Sequence, residues 1–202
     1  MTGTADLAEV LGIDPVRLSE LVDALRQRNW TVATAESLTA GLLCAALTEV
    51  PGSSAVVRGG LIVYATDLKH TLAGVEVDLL ARTGPVDPRV AAALAAGARR
   101  RCGSVLGLGL TGVAGPDPQD GHPVGTVHLA CAGPEATTSL SLALDPDSSR
   151  TAVRAAAVRA ALDLLAGTLG RTGTGAGTVD SSPGPVSPTA DIGIPGRIGP
   201  RE

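Results

Sequence analysis

Residues 31–41, TVATAESLTAG, set a short, partly β-branched apolar run directly before a polar turn and the aliphatic stretch LLCAAL at 42–47. The segment 31–35 (TVATA) reads as a buried strand, and 38–48 as a helix ended by Pro51-Gly52. A strand running straight into a helix is the unit from which α/β sheets are built, so this stretch decides the fold class.

Outward from it the alternation continues. On the N-terminal side Asp14 can cap a first helix, Pro15 suits its first position, and Leu18, Leu21, Val22 and Leu25 form one apolar stripe. On the C-terminal side 60–65 (GLIVYA) reads as a strand, and 66–73 as a short helix with Thr66 or Asp67 near its cap. A helical turn or two over 76–82 closes at Gly84-Pro85. Asp87-Pro88 then opens an Ala-rich helix reaching about Arg101, with basic residues in its last turn, where they suit the helix dipole. Segments 104–111, 125–132 and 137–144 read as strands. A final helix is expected over 148–169, with Val153, Ala157, Ala160, Ala161, Leu164 and Leu165 on one face. Together these predict an α/β fold whose mixed sheet is covered by helices. From Gly170 onward Gly, Pro, Ser and Thr dominate, a composition that cannot bury enough surface to fold. One folded domain over 1–169 and a disordered tail over 170–202 are therefore expected.

Composition narrows the function. The chain has 202 residues, 44% of them hydrophobic, with no Phe; Trp30 and Tyr64 are the only aromatic residues. An aliphatic core serves as well, since burial of apolar area contributes about 25 cal/mol per Å² whatever its shape. A net charge of −4 argues against a dedicated nucleic-acid binder, which needs clustered cations. A small anionic substrate needs only one or two. Cys44, Cys102 and Cys131 lack metal or redox spacing and read as reduced, buried core thiols. The histidines His70, His122 and His128 show no ligand spacing, so neither metal nor cofactor is expected. Acidic residues interrupt the first stretch, and no apolar run approaches the roughly 20 residues of a membrane span. A soluble cytoplasmic protein is the expectation.

Of 16 basic residues, 15 are Arg and only Lys69 is Lys. A site that needs an amine able to lose its proton cannot use Arg, whose guanidinium stays charged. Survival of one lysine by chance is the other reading. Three segments could carry chemistry. At the junction 35–41, Ser37 or Thr39 could be a nucleophile with nearby amides for a developing oxyanion, or Ser37 is a helix cap and nothing more. In 64–69 (YATDLK), Lys69 is either a solvated helix residue or a base whose pKa is depressed by burial, with Tyr64 beside it to orient the amine or relay a proton. In 111–117 (TGVAGPD), followed by PVGT at 123–126, glycines at a strand end either make a tight turn or let backbone amides approach a ligand.

In order and spacing, AESLTAG, Y-x-x-x-x-K and TGVAGPD…PVGTV, with PGSSAVVRGGLIVYA, GPVD and SSRTAVR, resemble the family of the CinA C-terminal domain. The resemblance runs from about 18 to 165 and suggests the single-domain form. It implies a three-layer α/β/α sandwich, a homodimer, and hydrolysis of the carboxamide of nicotinamide mononucleotide. Ser37 then resembles the nucleophile, Lys69 its general base, with Tyr64 beside them. Thr39, Gly41 and the loop from Thr111 through Gly112 and Ala114 to Gly115 would supply donors to oxyanion and ligand. Arg150 and Arg154 would pair with the phosphate, since the guanidinium fork meets phosphate oxygens bidentately. Two positions depart from the pattern: Asp87 replaces Ser as a cap, and Ala40 replaces Gly. A nucleotide-binding module without turnover, linked to competence or DNA damage, is the competing expectation, and another small amide a third.

Overall fold

A computed structural model describes residues 6–171. Most of the expected tail lies outside the described residues, and its first two residues belong to the last helix instead. A short helix not expected from the sequence, α1 (Leu7–Leu11), comes first. Its Asp6 cap accepts from Ala8 N, and Gly12 closes it at φ 64. Five residues are too few for a period to register. Next is α2 (Pro15–Gln27), capped by Asp14 as expected, with its four-residue stripe buried.

The strand β1 (Val32–Glu36) is buried throughout. The helix after it, α3 (Leu42–Thr48), starts four residues later than the sequence suggests. Residues 37–41 form a turn instead, with Ala40 at φ 50 and Gly41, the actual N-cap, at φ 95. Ser37 is therefore not a helix cap. A 3₁₀ turn (Ser53–Ala55) leads into β2 (Val57–Ile62), shifted toward the N-terminus from the expected 60–65. Pairing with β1 sets this register, from Val32 opposite Val57 to Glu36 opposite Ile62, and it outweighs the weak strand preference of Arg58-Gly59-Gly60. Tyr64 consequently stands beyond the strand. Then come α4 (Thr66–Thr71), capped by Ala65 rather than by Thr66 or Asp67, and α5 (Val77–Thr83). The Asp87-capped α6 (Pro88–Cys102), β3 (Leu106–Gly112), β4 (Thr126–Ala132), β5 (Thr137–Ala143) and α7 (Arg150–Arg171) follow within the described residues, each within two residues of expectation.

The five strands form one mixed sheet in the order β2-β1-β3-β4-β5, parallel across β2, β1 and β3 and antiparallel beyond. On one face α1, α2, α3 and α7 pack on Val32, Leu106, Leu108, Leu110 and Leu129. On the other, α4, α5 and α6 cover Ala33, Ala35 and Val63. This is the expected three-layer sandwich. The second interface is a seam of small residues, with Ala91 and Ala95 of α6 against Ala130 and Ala132 of β4. Beside it, any Cβ at Gly107 or Gly109 would run into the carbonyls of Ala95 and Ala91, so α6 lies on the backbone of β3 itself.

Of the thiols only Cys131 is buried; Cys44 and Cys102 are half-buried, which corrects the expectation for those two. No helix among the described residues is long and apolar enough to cross a membrane. The connection from β1 to β2 runs over one face of the sheet, and that from β2 to β3 over the other. Such a reversal opens a crevice at the carboxyl ends of the neighbouring strands β1 and β3.

Candidate active site

Ser37 is the first residue beyond β1, at that crevice. Its amide donates to Leu110 O on β3 at 3.1 Å, and its own carbonyl accepts from Ala40 N at 3.1 Å. The turn is tied down by Glu36. The carboxylate of this fully buried residue accepts from Thr34 Oγ1 (2.9 Å), Gly41 N (3.0 Å), Leu43 N (3.1 Å) and Cys44 N (2.9 Å). Among the described residues, the N–H groups of Leu38 and Thr39, next in the turn, meet no protein acceptor.

Lys69 reaches the same point from α4. Only 2% exposed, it donates from Nζ to Ser37 Oγ at 3.0 Å, to Val63 O at 3.0 Å and to Tyr64 O at 3.4 Å. Among the described residues no carboxylate lies within ion-pair distance of it. Burial pushes its pKa down to about 8, while Asp67 pulls weakly the other way. An amine that loses its proton near neutrality, touching a hydroxyl, can act as that hydroxyl's base.

The pair opens on a cavity of about 400 Å³. Its walls include Leu38, Tyr64, Thr66, Pro85 and Val86, with Thr111, Gly112, Ala114 and Gly115 from the Gly-rich loop. Thr111 donates from Oγ1 to Pro85 O at 2.7 Å, joining the loop to the 84–87 turn. Among the described residues the amides of Ala114 and Gly115 meet no acceptor. At the mouth, Arg150 spans two walls, donating to Gly115 O at 2.7 Å and to Tyr64 Oη at 2.9 Å. Tyr64 is 58% exposed. It meets the lysine amine through its carbonyl, while its hydroxyl serves Arg150, so its side chain does not orient the amine as expected.

The structure thus gathers Ser37, Lys69, Tyr64, Thr111, Gly112, Ala114, Gly115 and Arg150 around one cavity. It places Thr39, Gly41 and Arg154 behind the turn. The Gly41 amide is taken by Glu36, and the carbonyl of fully buried Thr39 accepts from Arg154 Nη2 at 3.0 Å. These three brace the turn that carries Ser37 and do not line the cavity, a correction to the ligand contacts expected of them. Sequence reasoning passed over Glu36, whose signal was a lone carboxylate ending a strand otherwise free of charge. It gave no role to Asp117, the last residue of the TGVAGPD segment, and missed Gln119, an exposed loop residue with no pattern of its own; both stand on the cavity wall. Among the described residues no group of three or more His, Cys, Asp or Glu is placed to hold a metal.

The sequence matches the profile of the CinA C-terminal domain over residues 17–169. The chain belongs to the CinA C-terminal domain family. A CinA-like protein of Frankia casuarinae is 49% identical over 154 residues, covering 76% of this chain and 35% of that protein. One from an Anaeromyxobacter species is 46% identical over 161 residues, covering 78% and 38%. The chain therefore spans little more than a third of the length of these relatives. Among solved structures, the competence/damage inducible protein CihA of Agrobacterium tumefaciens superposes with a TM-score of 0.70 at 35% identity, covering 78% of this chain and 98% of that one. A CinA superfamily protein of Klebsiella pneumoniae gives 0.73 at 26% identity, covering 83% and 99%. The matched span of the CinA domain includes every residue around the cavity.

Proposed function

We propose that this CinA-family chain hydrolyses the carboxamide of nicotinamide mononucleotide to nicotinate mononucleotide and ammonia. The observation that carries the reading is the buried, charge-unpaired Lys69 amine 3.0 Å from Ser37 Oγ at a cavity with a guanidinium at its mouth. Ser37 Oγ attacks the carboxamide carbon as neutral Lys69 takes its proton. The oxyanion that forms is met by the free amides that follow Ser37 in the turn, or by those of the Gly-rich loop. Collapse breaks the C–N bond, and Lys69 returns the proton to the departing nitrogen, which leaves as ammonia. Lys69 then deprotonates a water that attacks the acyl-serine, releasing the carboxylate and restoring Ser37. Arg150, exposed at the mouth, is suited to pair with the phosphate.

A module that only binds nucleotide has no use for a buried lysine amine held against a serine. Burying such a group costs stability unless it is neutral or well bonded. The deciding experiment is ammonia release from nicotinamide mononucleotide by purified protein with no added metal. Release that disappears in Ser37→Ala supports the reading. A folded wild type that binds the nucleotide and releases none overturns it in favour of the binding module, and a panel of other small amides then decides the third reading.

A further inference from the structure

Glu36 and Lys69 are the two charged side chains buried among the described residues, yet no ion pair joins them. Glu36 accepts hydrogen bonds only. Its four donors are Thr34 on its own strand and the amides of Gly41, Leu43 and Cys44, so the carboxylate clasps the two ends of the turn that carries Ser37. The main chain of Glu36 reaches the other half of the pair. Its carbonyl accepts from Val63 N at 2.8 Å, and Val63 O in turn accepts from Lys69 Nζ at 3.0 Å. One residue therefore anchors both the turn of the hydroxyl and the segment that receives the amine.

We propose that Glu36 is a positioning residue that sets the separation between Ser37 and Lys69. It works through the rigidity of the turn and not through its charge. The proposal rests on reading Ser37 and Lys69 as the reacting pair. A carboxylate is needed because both oxygens must accept: Oε2 takes Gly41 and Leu43, and Oε1 takes Thr34 and Cys44. A glutamine turns an NH₂ toward one of these donor pairs, leaves buried N–H groups unpaired, and releases the turn. An aspartate, one methylene shorter, cannot reach both ends.

The sole lysine makes the test direct. Protein labelled with carbon-13 lysine gives one side-chain signal, whose titration midpoint in wild type is expected near 8. In Glu36→Gln and Glu36→Asp the midpoint rises toward the ordinary lysine value of about 10.4 as the amine loses its seclusion. Loss of the Glu36 charge alone would move it down, so the sign separates the two roles. In parallel, kcat for ammonia release falls about 100-fold, the scale of an ångström of misplacement, while KM holds because Arg150 and the Gly-rich loop are untouched. If Glu36→Asp, or a folded Glu36→Gln, keeps the wild-type midpoint and kcat, or shifts the midpoint down, positioning is overturned and the amidohydrolase reading stands. If wild type releases no ammonia but the lysine signal moves up as stated, positioning stands and the substrate assignment falls. A wild-type lysine titrating at the ordinary value overturns both.

Discussion

Lys69 Nζ and Ser37 Oγ, 32 residues apart in the chain, meet at 3.0 Å, with the lysine 2% exposed. The contact requires the β1–β2 register, because Tyr64 and Val63 must leave the sheet where their carbonyls can receive the amine. A shift of that register by one residue would turn the segment over.

Ammonia release should depend on both partners. Ser37→Ala and Lys69→Arg are each expected to lower kcat/KM at least about 1,000-fold without loss of cooperative unfolding. Arg keeps a positive charge but cannot act as a base. Wild-type kcat/KM should rise with pH and level off above a midpoint near 8, set by the buried amine. A profile flat from pH 6 to 9 would remove Lys69 from the mechanism.

The same amine makes stability depend on pH. The folded pKa of about 8 lies below the unfolded value near 10.4, so between them the unfolded chain binds more protons and stability rises with pH. Against Lys69→Met, the wild type should gain about 3 kcal/mol between pH 8 and 10.5, and nothing further below pH 7. Denaturant titrations of both proteins at pH 7, 9 and 10.5 read this difference.

Arg150 and Arg154 should separate kinetically. Arg150→Ala removes the cation at the mouth and is expected to raise KM for the mononucleotide about 10- to 100-fold, the value of a charged hydrogen bond or two. Wild type acting on the riboside, which lacks the phosphate, should show the same penalty. Arg154→Ala frees the carbonyl of Thr39 and should lower kcat or stability while leaving KM close to wild type. A rise in KM alone would return Arg154 to the substrate.

Packing of α6 on β3 gives a stability prediction. Gly109→Ala drives a Cβ into the Ala91 carbonyl and should destabilise by about 3 kcal/mol, measured by denaturant unfolding. At Gly133 an added Cβ meets only ordinary contact, 3.4 Å from Ala136 O, and the same substitution should stay within about 0.5 kcal/mol.

Periodicity and caps made most of the sandwich legible. Asp14 and Asp87 mark true helix starts, and the stripe from Leu18 to Leu25 is buried as its spacing requires. Residues 37–41 read as the start of a helix because they lead straight into the aliphatic run 42–47, whereas the Glu36 carboxylate sets the start at Gly41 by taking the amides of Gly41, Leu43 and Cys44. Those contacts are invisible in a window of sequence. Lys69 stood out by composition, being alone among arginines, and its depressed pKa is the physical counterpart. The roles of Thr39, Gly41 and Arg154 were not legible, since a motif gives the residues of a site but not which side of the turn each one serves.

Arg150 and Arg154 sit one turn apart on α7, so one helix grips the cavity mouth with the first and the back of the Ser37 turn with the second. The two halves of the site therefore share a mechanical rail. Any slide or roll of that helix is transmitted at once to the mouth at Gly115 and Tyr64 and to the turn that holds the Ser37 hydroxyl, and neither can be retuned without the other.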